Sequence, residues 1–273
     1  AAMQKFKYKF GTNAIANYTF YYSEISDQDR FDRLTRKRDG QFLNAVWKYG
    51  PQKWLMNNLE LNFYNTNSLY NKLKILVAHQ KFEESRIDRD YNSPIRKTRT
   101  ENVDAISINA DFQKKINKNF TANYGLEYVY NKVESVGKMF SYSSGNTEPT
   151  IDRYPEADWN SAGIYISSGY SIHDKLRLEG GLRYNYVQTD ADFSSNLPYF
   201  DFLPEKARIN NSALTGSIAA LYSFSDALNI SLSYSSAFRA PNVDDIGKVF
   251  DSEPGSVVIP NPDLKPEYTY NTE

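Results

Sequence analysis

The 273-residue chain contains no cysteine, so neither a disulfide nor a thiolate metal site is open to it. Histidine is almost as scarce, with only His79 and His173. A membrane-crossing helix needs about 20 consecutive apolar residues; the greasiest run, 73–78, is already broken by Lys74. Charge of one sign is not in excess either: the net charge of −1 gives no global field to recruit nucleic acid. No GxSxG elbow, HExxH helix or phosphate-cradling glycine loop occurs, and no spacing singles out a pair of carboxylates. The expectation is therefore a protein that is not an enzyme, with no catalytic residue, no metal site and no cofactor. No apolar leader opens the chain, since Ala1-Ala2-Met3-Gln4-Lys5 runs straight into alternating sequence. At the other end Tyr268-Thr269-Tyr270-Asn271-Thr272-Glu273 reads as half of a further strand, as expected of a piece of a longer protein.

What the chain has in quantity is alternation. In 120–131, Phe120, Ala122, Tyr124, Leu126, Tyr128 and Tyr130 fall on one face, and Thr121, Asn123, Gly125, Glu127, Val129 and Asn131 on the other. Successive side chains point to opposite faces of a strand, so this segment predicts a ribbon with one greasy and one wet side. Similar rows start at Ala14, Leu43, Leu55, Leu73, Asp104, Ala162, Leu176, Leu214 and Ile230, with Gly50-Pro51 between the Leu43 and Leu55 rows. A soluble sandwich hides such greasy sides against each other, whereas a membrane barrel turns them all to lipid. The mean hydropathy of −0.64 excludes a helical membrane protein but not a barrel, in which every second residue is polar. The 22 tyrosines suit a membrane–water boundary, and they also suit a soluble β-protein.

The joints decide between the two. Short ones (66–71, 114–119, 171–175, 225–226) take turns with long polar ones (23–38, 83–100, 136–158, 189–211) along the chain. Compact soluble domains rarely carry long structureless loops repeatedly, while outer-membrane barrels combine short periplasmic turns with long outer loops. The prediction is an all-β, antiparallel transmembrane β-barrel. Its inner face carries Thr121, Asn123, Glu127, Arg177, Glu179 and Arg183, and Trp47, Trp54 and Trp159 read as anchors in the interfacial belt or as stackers for a ligand, their position near loop ends favouring the belt.

Two boxes then carry a resemblance. Phe238-Arg239-Ala240-Pro241-Asn242-Val243-Asp244-Asp245, followed by Asn261-Pro262-Asp263-Leu264-Lys265-Pro266-Glu267, resembles TonB-dependent outer-membrane receptors. There a strand ends in an FRAP-like box, and an NPDL-like box opens the next strand. Residues 29–34 and 49–52 look like loop sequence of the same family. The resemblance implies a plugged barrel of about 22 strands, of which residues 1–273 would be one part, with the plug and the final strands outside this sequence. It also implies active uptake of a scarce nutrient across the outer membrane of a Gram-negative bacterium. TonB would be the energy-coupling partner, the ligand a siderophore-like iron chelate or haem, and lipid or lipopolysaccharide the surroundings. The runners-up are TonB-dependent uptake of cobalamin or a glycan, a passive channel or adhesin, and a soluble carbohydrate- or protein-binding β-protein.

The haem-type members carry a histidine between the two boxes, and none stands between Pro241 and Asn261 here, which favours a siderophore-like chelate. The candidate ligand residues are Phe238, Arg239, Asp244, Asp245 and Asn261. Arg239 either meets an anionic chelate or pairs with Asp244 or Asp245 to order the strand end. Pro241, Pro262 and Pro266 are expected to restrict the loop and its strand entry. The acids Asp244, Asp245, Asp251 and Glu253 lack the ordered spacing of a calcium loop and read as solvated; the basic stretch Arg33 to Arg38, with Arg30 nearby, reads as a solvated loop, with contact to anionic lipopolysaccharide or ligand as the alternative.

Overall fold

The computed structural model describes residues 1–247, 251–253, 256–257, 261 and 263–273. Alternating sequence has become strand almost everywhere. In chain order the long strands are β1 (Ala2–Phe10), β2 (Ala14–Ile25), β3 (Asn44–Tyr64), β4 (Lys72–Asp90), β5 (Ile95–Lys115) and β6 (Phe120–Ser141). They continue as β7 (Glu156–His173), β8 (Leu176–Asp192), β9 (Lys206–Ser225), β10 (Leu228–Arg239) and β11 (Glu267–Thr272). Each pairs antiparallel with its sequence neighbours, and Gln28–Asp29 and Thr147–Thr150 complete a 13-stranded sheet. The sheet is open, because among the described residues β1 and β11 do not pair with each other.

Local chemistry closes the short turns. Gly11 sits at φ +63° between β1 and β2, where a side chain would be strained. Asn67 accepts from the backbone N–H of Leu69 and Tyr70 at 2.8 and 2.9 Å between β3 and β4. Asn117 does the same for Asn119 at 2.9 Å between β5 and β6.

Register places one apolar row across four strands: Leu126, Ile164, Tyr184 and Leu214 are successive cross-strand neighbours. They are 54%, 55%, 47% and 66% exposed, so no second layer covers them. In a sandwich these positions would be the dry core. A contiguous bare apolar surface of this extent marks a membrane face instead. On each strand the row occupies the part nearest the short turn, about the 9–11 residues that a tilted crossing needs. Its upper border is marked by tyrosine hydroxyls with polar partners: Tyr128 donates to Asn160 at 2.8 Å and Tyr186 to Asn210 at 3.2 Å. Beyond it the outward face becomes charged, with Lys81 3.2 Å from Asp104, Lys132 3.2 Å from Glu156, and Arg208 paired to Asp190.

The strands do not stop at that border, which corrects the loop expectation. β4 and β5 run to Asp90 and from Ile95, so most of 83–100 is strand and only 91–94 connects them. Within 136–158, residues 136–141, 147–150 and 156–158 are strand, as are parts of 189–211. Cross-strand ion pairs such as Lys53–Glu83 at 2.9 Å and Arg99–Asp88 at 2.8 Å hold these polar extensions together, so the wall rises past the hydrocarbon into water. The Leu43 and Leu55 rows belong to one strand, β3, whose register shifts between Tyr49 and Gln52. That shift moves Trp47 and Tyr49 to the inner face, alongside their partners Asp88 and Arg86.

The compact core lies at the outer end, on the inner face. Phe193 is wholly buried and packs with Ala157, Ala191, Leu203 and Val243, flanked by Leu197 and Phe200. The connection between β8 and β9 and the segment after β10 thus fold inward over the wall instead of standing free in solvent.

Candidate ligand site at the outer mouth

The inner face is polar but not loosely so. Arg183 on β8 is 2.6 Å from Glu127 on β6 and donates through Nε to Asn185 at 2.6 Å, while Asn109 on β5 donates to Glu127 at 3.0 Å. Gly163, between β6 and β8, lets the guanidinium lie flat on the wall, because a Cβ there would meet Arg183 Nη2. Lower down, Lys74 and the Tyr165 hydroxyl converge on Asp111. Thr121, Asn123, Glu127, Arg177, Glu179 and Arg183 share this face, as the alternation predicts.

The FRAP-like box closes the outer end. Arg239 Nη2 lies 2.6 Å from Asp245 Oδ2, and the Arg239 guanidinium lies 3.5 Å from Glu267, which opens β11. Asp245 also accepts from the Asn242 N–H at 3.0 Å, and Asn242 Oδ1 accepts from the Asp245 N–H at 3.0 Å. These reciprocal bonds start the short helix α2 (Val243–Gly247) and turn it inward, so that Val243 and Ile246 are buried. Tyr154, from the connection before β7, donates to Asp244 at 2.6 Å. Burial and this carboxylate both raise the Tyr154 hydroxyl above its ordinary pKa, so it remains a donor.

Above Ser217 and Ser235, β9 and β10 part, and Ser236 Oγ bridges to the Gly216 N–H at 3.0 Å and carbonyl at 3.3 Å. A cavity of about 790 Å³ lies under α2, lined by Asn131, Trp159, Arg183, Asn185, Phe238 and Asp244 among others. It offers an indole face, amide groups and both signs of charge, which is the mixture expected of a pocket for a polar small molecule. Of the sequence candidates, Phe238 and Asp244 line it, Arg239 and Asp245 engage each other, and Asn261 is exposed and accepts from the Asp263 N–H at 3.0 Å. Pro262 and the side chains of Asp251 and Glu253 lie outside the described residues.

Several expectations are corrected by sidedness. Trp159 lines the cavity, Trp47 lies beneath Arg30, and Trp54 pairs with Phe82 and meets the Tyr21 ring at 4.9 Å; all three are on the inner face, not in the belt. For Trp54 and Trp159 the odd or even position relative to the neighbouring row was the available signal, and nearness to a loop end was the weaker one; Trp47 lies beyond the register shift that inverts parity. His79 shares the outward face with Ile106, with Nε2 3.0 Å from Asp104 Oδ1, and His173 sits at the short β7–β8 turn. Neither faces the cavity.

A one-layer wall, greasy outside and hydrogen-bonded inside, with short turns at one end and inward-folded segments at the other, defines a transmembrane β-barrel wall. A family model described as TonB dependent receptor-like, beta-barrel matches residues 4–273, and the chain belongs to that family. Solved structures agree in fold. The copper transporter OprC superposes with a TM-score of 0.69 at 12% identity, covering 97% of this chain and 40% of that one. The siderophore receptor PiuA from Acinetobacter baumannii gives 0.60 at 13% identity, covering 86% and 41%. The ferric citrate transporter FecA gives 0.60 at 14% identity, covering 86% and 35%. The chain thus spans less than half the length of these structures. No curated protein matches it in sequence.

Proposed function

We propose that this wall belongs to an outer-membrane receptor that imports an iron chelate of siderophore type by TonB-dependent active transport. The observation that carries the reading is the pair of boxes together with the cavity that the first of them lines. Phe238 and Asp244 line a space of about 790 Å³, large enough for a small chelate, with Glu127, Arg183 and Asp244 as charged groups in an otherwise largely apolar lining. Residues 1–273 form part of a single barrel domain in this reading, to which a plug, a segment touching TonB and further strands would be added by other parts of the receptor. Phe238, Asp244 and the neighbouring wall hold the ligand, while Arg239, Asp245 and Asn261 shape the segment that covers it. Lipid and lipopolysaccharide contact the outward band. A siderophore-type ligand is favoured over haem because His79 faces outward and His173 lies at the opposite end of the wall.

The test is growth of a strain lacking the gene on defined iron sources. Loss of growth on one ferric chelate, restored by the gene and abolished by collapsing the proton-motive force, supports the reading. Unchanged growth on every siderophore and on haem removes iron uptake and leaves cobalamin or glycan uptake to be assayed.

A further inference from the structure

One seam of the wall forks. β8 is paired with β9 along its whole length, from Leu176 opposite Tyr222 to Asp192 opposite Lys206. β9 and β10 are paired only from Ser225 opposite Leu228 up to Ser217 opposite Ser235. Above that level β10 follows its other neighbour, with Tyr234 to Arg239 laddered to β11. Among the described residues the β9 backbone over 206–215 has no ladder partner on this edge. At the fork the Ser236 hydroxyl replaces a ladder strand, accepting from the Gly216 N–H at 3.0 Å and donating to its carbonyl at 3.3 Å.

The fork lies at membrane depth. Gly216 is nearer the short turn than Leu214 of the apolar row, and Asn210, at the upper border, stands higher than both. An open sheet edge is not tolerated against lipid, where nothing satisfies its amides; at that depth it persists only where it lines a cavity. This edge does. Thr215 and Ala237 have inward parity, Ser236 and Phe238 have the outward parity of Leu232 and Tyr234, and all four line the space of about 790 Å³. The Phe238 ring lies 5.7 Å from that of Tyr268, which is exposed. A cavity bounded by both parities of one strand runs between the strands, and so toward the hydrocarbon.

We propose that the fork between β9 and β10 is a lateral opening from the outer leaflet into the cavity, and that the chelate it serves carries an acyl tail. The iron-binding head sits in the cavity, where the free edge of β9 offers backbone N–H and C=O groups and Glu127, Arg183 and Asp244 offer charge. The tail lies through the fork, past Phe238 and over Leu214, and stays in hydrocarbon. A ligand dissolved in the outer leaflet thus reaches the cavity by moving in the plane of the membrane. The chelate as occupant rests on the uptake reading above; the opening itself does not.

Fluorescence of the complete receptor in phospholipid vesicles, in a background free of other cysteines, tests the opening. A bimane label on Ala237→Cys should be quenched by lipids with a nitroxide on the acyl chain several-fold more than one on Ser233→Cys, an inward position of β10 where the strands are paired. Two probes test the occupant: ferric dodecanohydroxamate and ferric acetohydroxamate share an iron-binding group and differ in the tail. Counted against free probe in water, the first should bind at least about tenfold tighter, the gain from keeping a few methylenes in hydrocarbon. Its binding should also shield the Ala237 label from the nitroxide lipids. Quenching no stronger at Ala237 than at Ser233 overturns the opening. Matched affinities, no shielding, or no binding of the long-chain probe overturns the acyl tail. Strong quenching at Ala237 in a receptor whose deletion spares growth on every iron source keeps the opening and sinks the uptake reading.

Discussion

Replacing Leu126 with arginine is the most informative single perturbation. Leu126 is 54% exposed and sits within the apolar row between Ala110 and Ile164. If that row faces hydrocarbon, arginine there costs about 2–4 kcal/mol near the midplane of the bilayer. A cost of that size shifts the folding equilibrium by roughly 30- to 700-fold. If the row faces water, an exposed leucine-to-arginine change stays within about 0.5 kcal/mol. The inner-face control is Asn123→Arg, which loses only the bond Gln113 donates to it at 3.2 Å. Denaturant unfolding of the complete receptor in phospholipid vesicles reads both. Equal and small effects at Leu126 and Asn123 would refute the sidedness on which everything else is built.

Three further outcomes follow from particular residues. Glu101 lies beyond the apolar band, and burial lifts its carboxyl from the ordinary 4.5 to about 7, against the pull of Arg153 and Arg86. Its folded pKa is raised, so the cost of ionising it is absent below about pH 4.5, grows through the window and is complete above about pH 7, reaching roughly 3 kcal/mol. Wild type should therefore lose stability relative to Glu101→Gln as pH rises from 4.5 to 7, and pH-resolved unfolding of the two that stays parallel contradicts this. Gly125→Ala places a Cβ 2.6 Å from the Ala110 carbonyl oxygen, a rigid backbone atom, and should destabilise the wall by about 1–3 kcal/mol in the same unfolding assay. Arg239→Ala removes a half-exposed pair worth about 0–1 kcal/mol, so unfolding should barely change while amide exchange in 242–247 rises; unaltered exchange there would show that the pair does not order the segment.

The wall was legible because strand parity is a local property. The rows at Phe120, Ala162, Leu176 and Leu214 needed only alternation to be read, and all are strands with the expected faces. The loops were less legible, since 83–100 is polar on both faces and has no alternation once lipid no longer selects one side; cross-strand pairs such as Arg99–Asp88 make it strand. Trp47 was misplaced because the register shift at Tyr49–Gln52 inverts parity without a mark in the pattern beyond Gly50-Pro51. Part of the candidate site's geometry was readable: the Arg239 pairing with Asp245 was one of two stated options, and Phe238 and Asp244 lie in the cavity lining. Trp159, Arg183 and the arginine group around Glu101 depend on contacts distant in sequence, and the stretch holding Arg30 and Arg33 looked like ordinary solvated loop.

Residues 1–273 contain no cysteine, so single cysteines introduced among them can be spin-labelled site by site. Labels at Ile164 and Leu182 on one face, and at Ser167 and Asn185 on the other, can be compared in vesicles for collision with oxygen and with a water-soluble nickel chelate. The first pair should be open to oxygen and closed to nickel, and the second pair the reverse. Nickel access that is the same at all four positions would mean that the greasy face of this sheet does not meet a membrane.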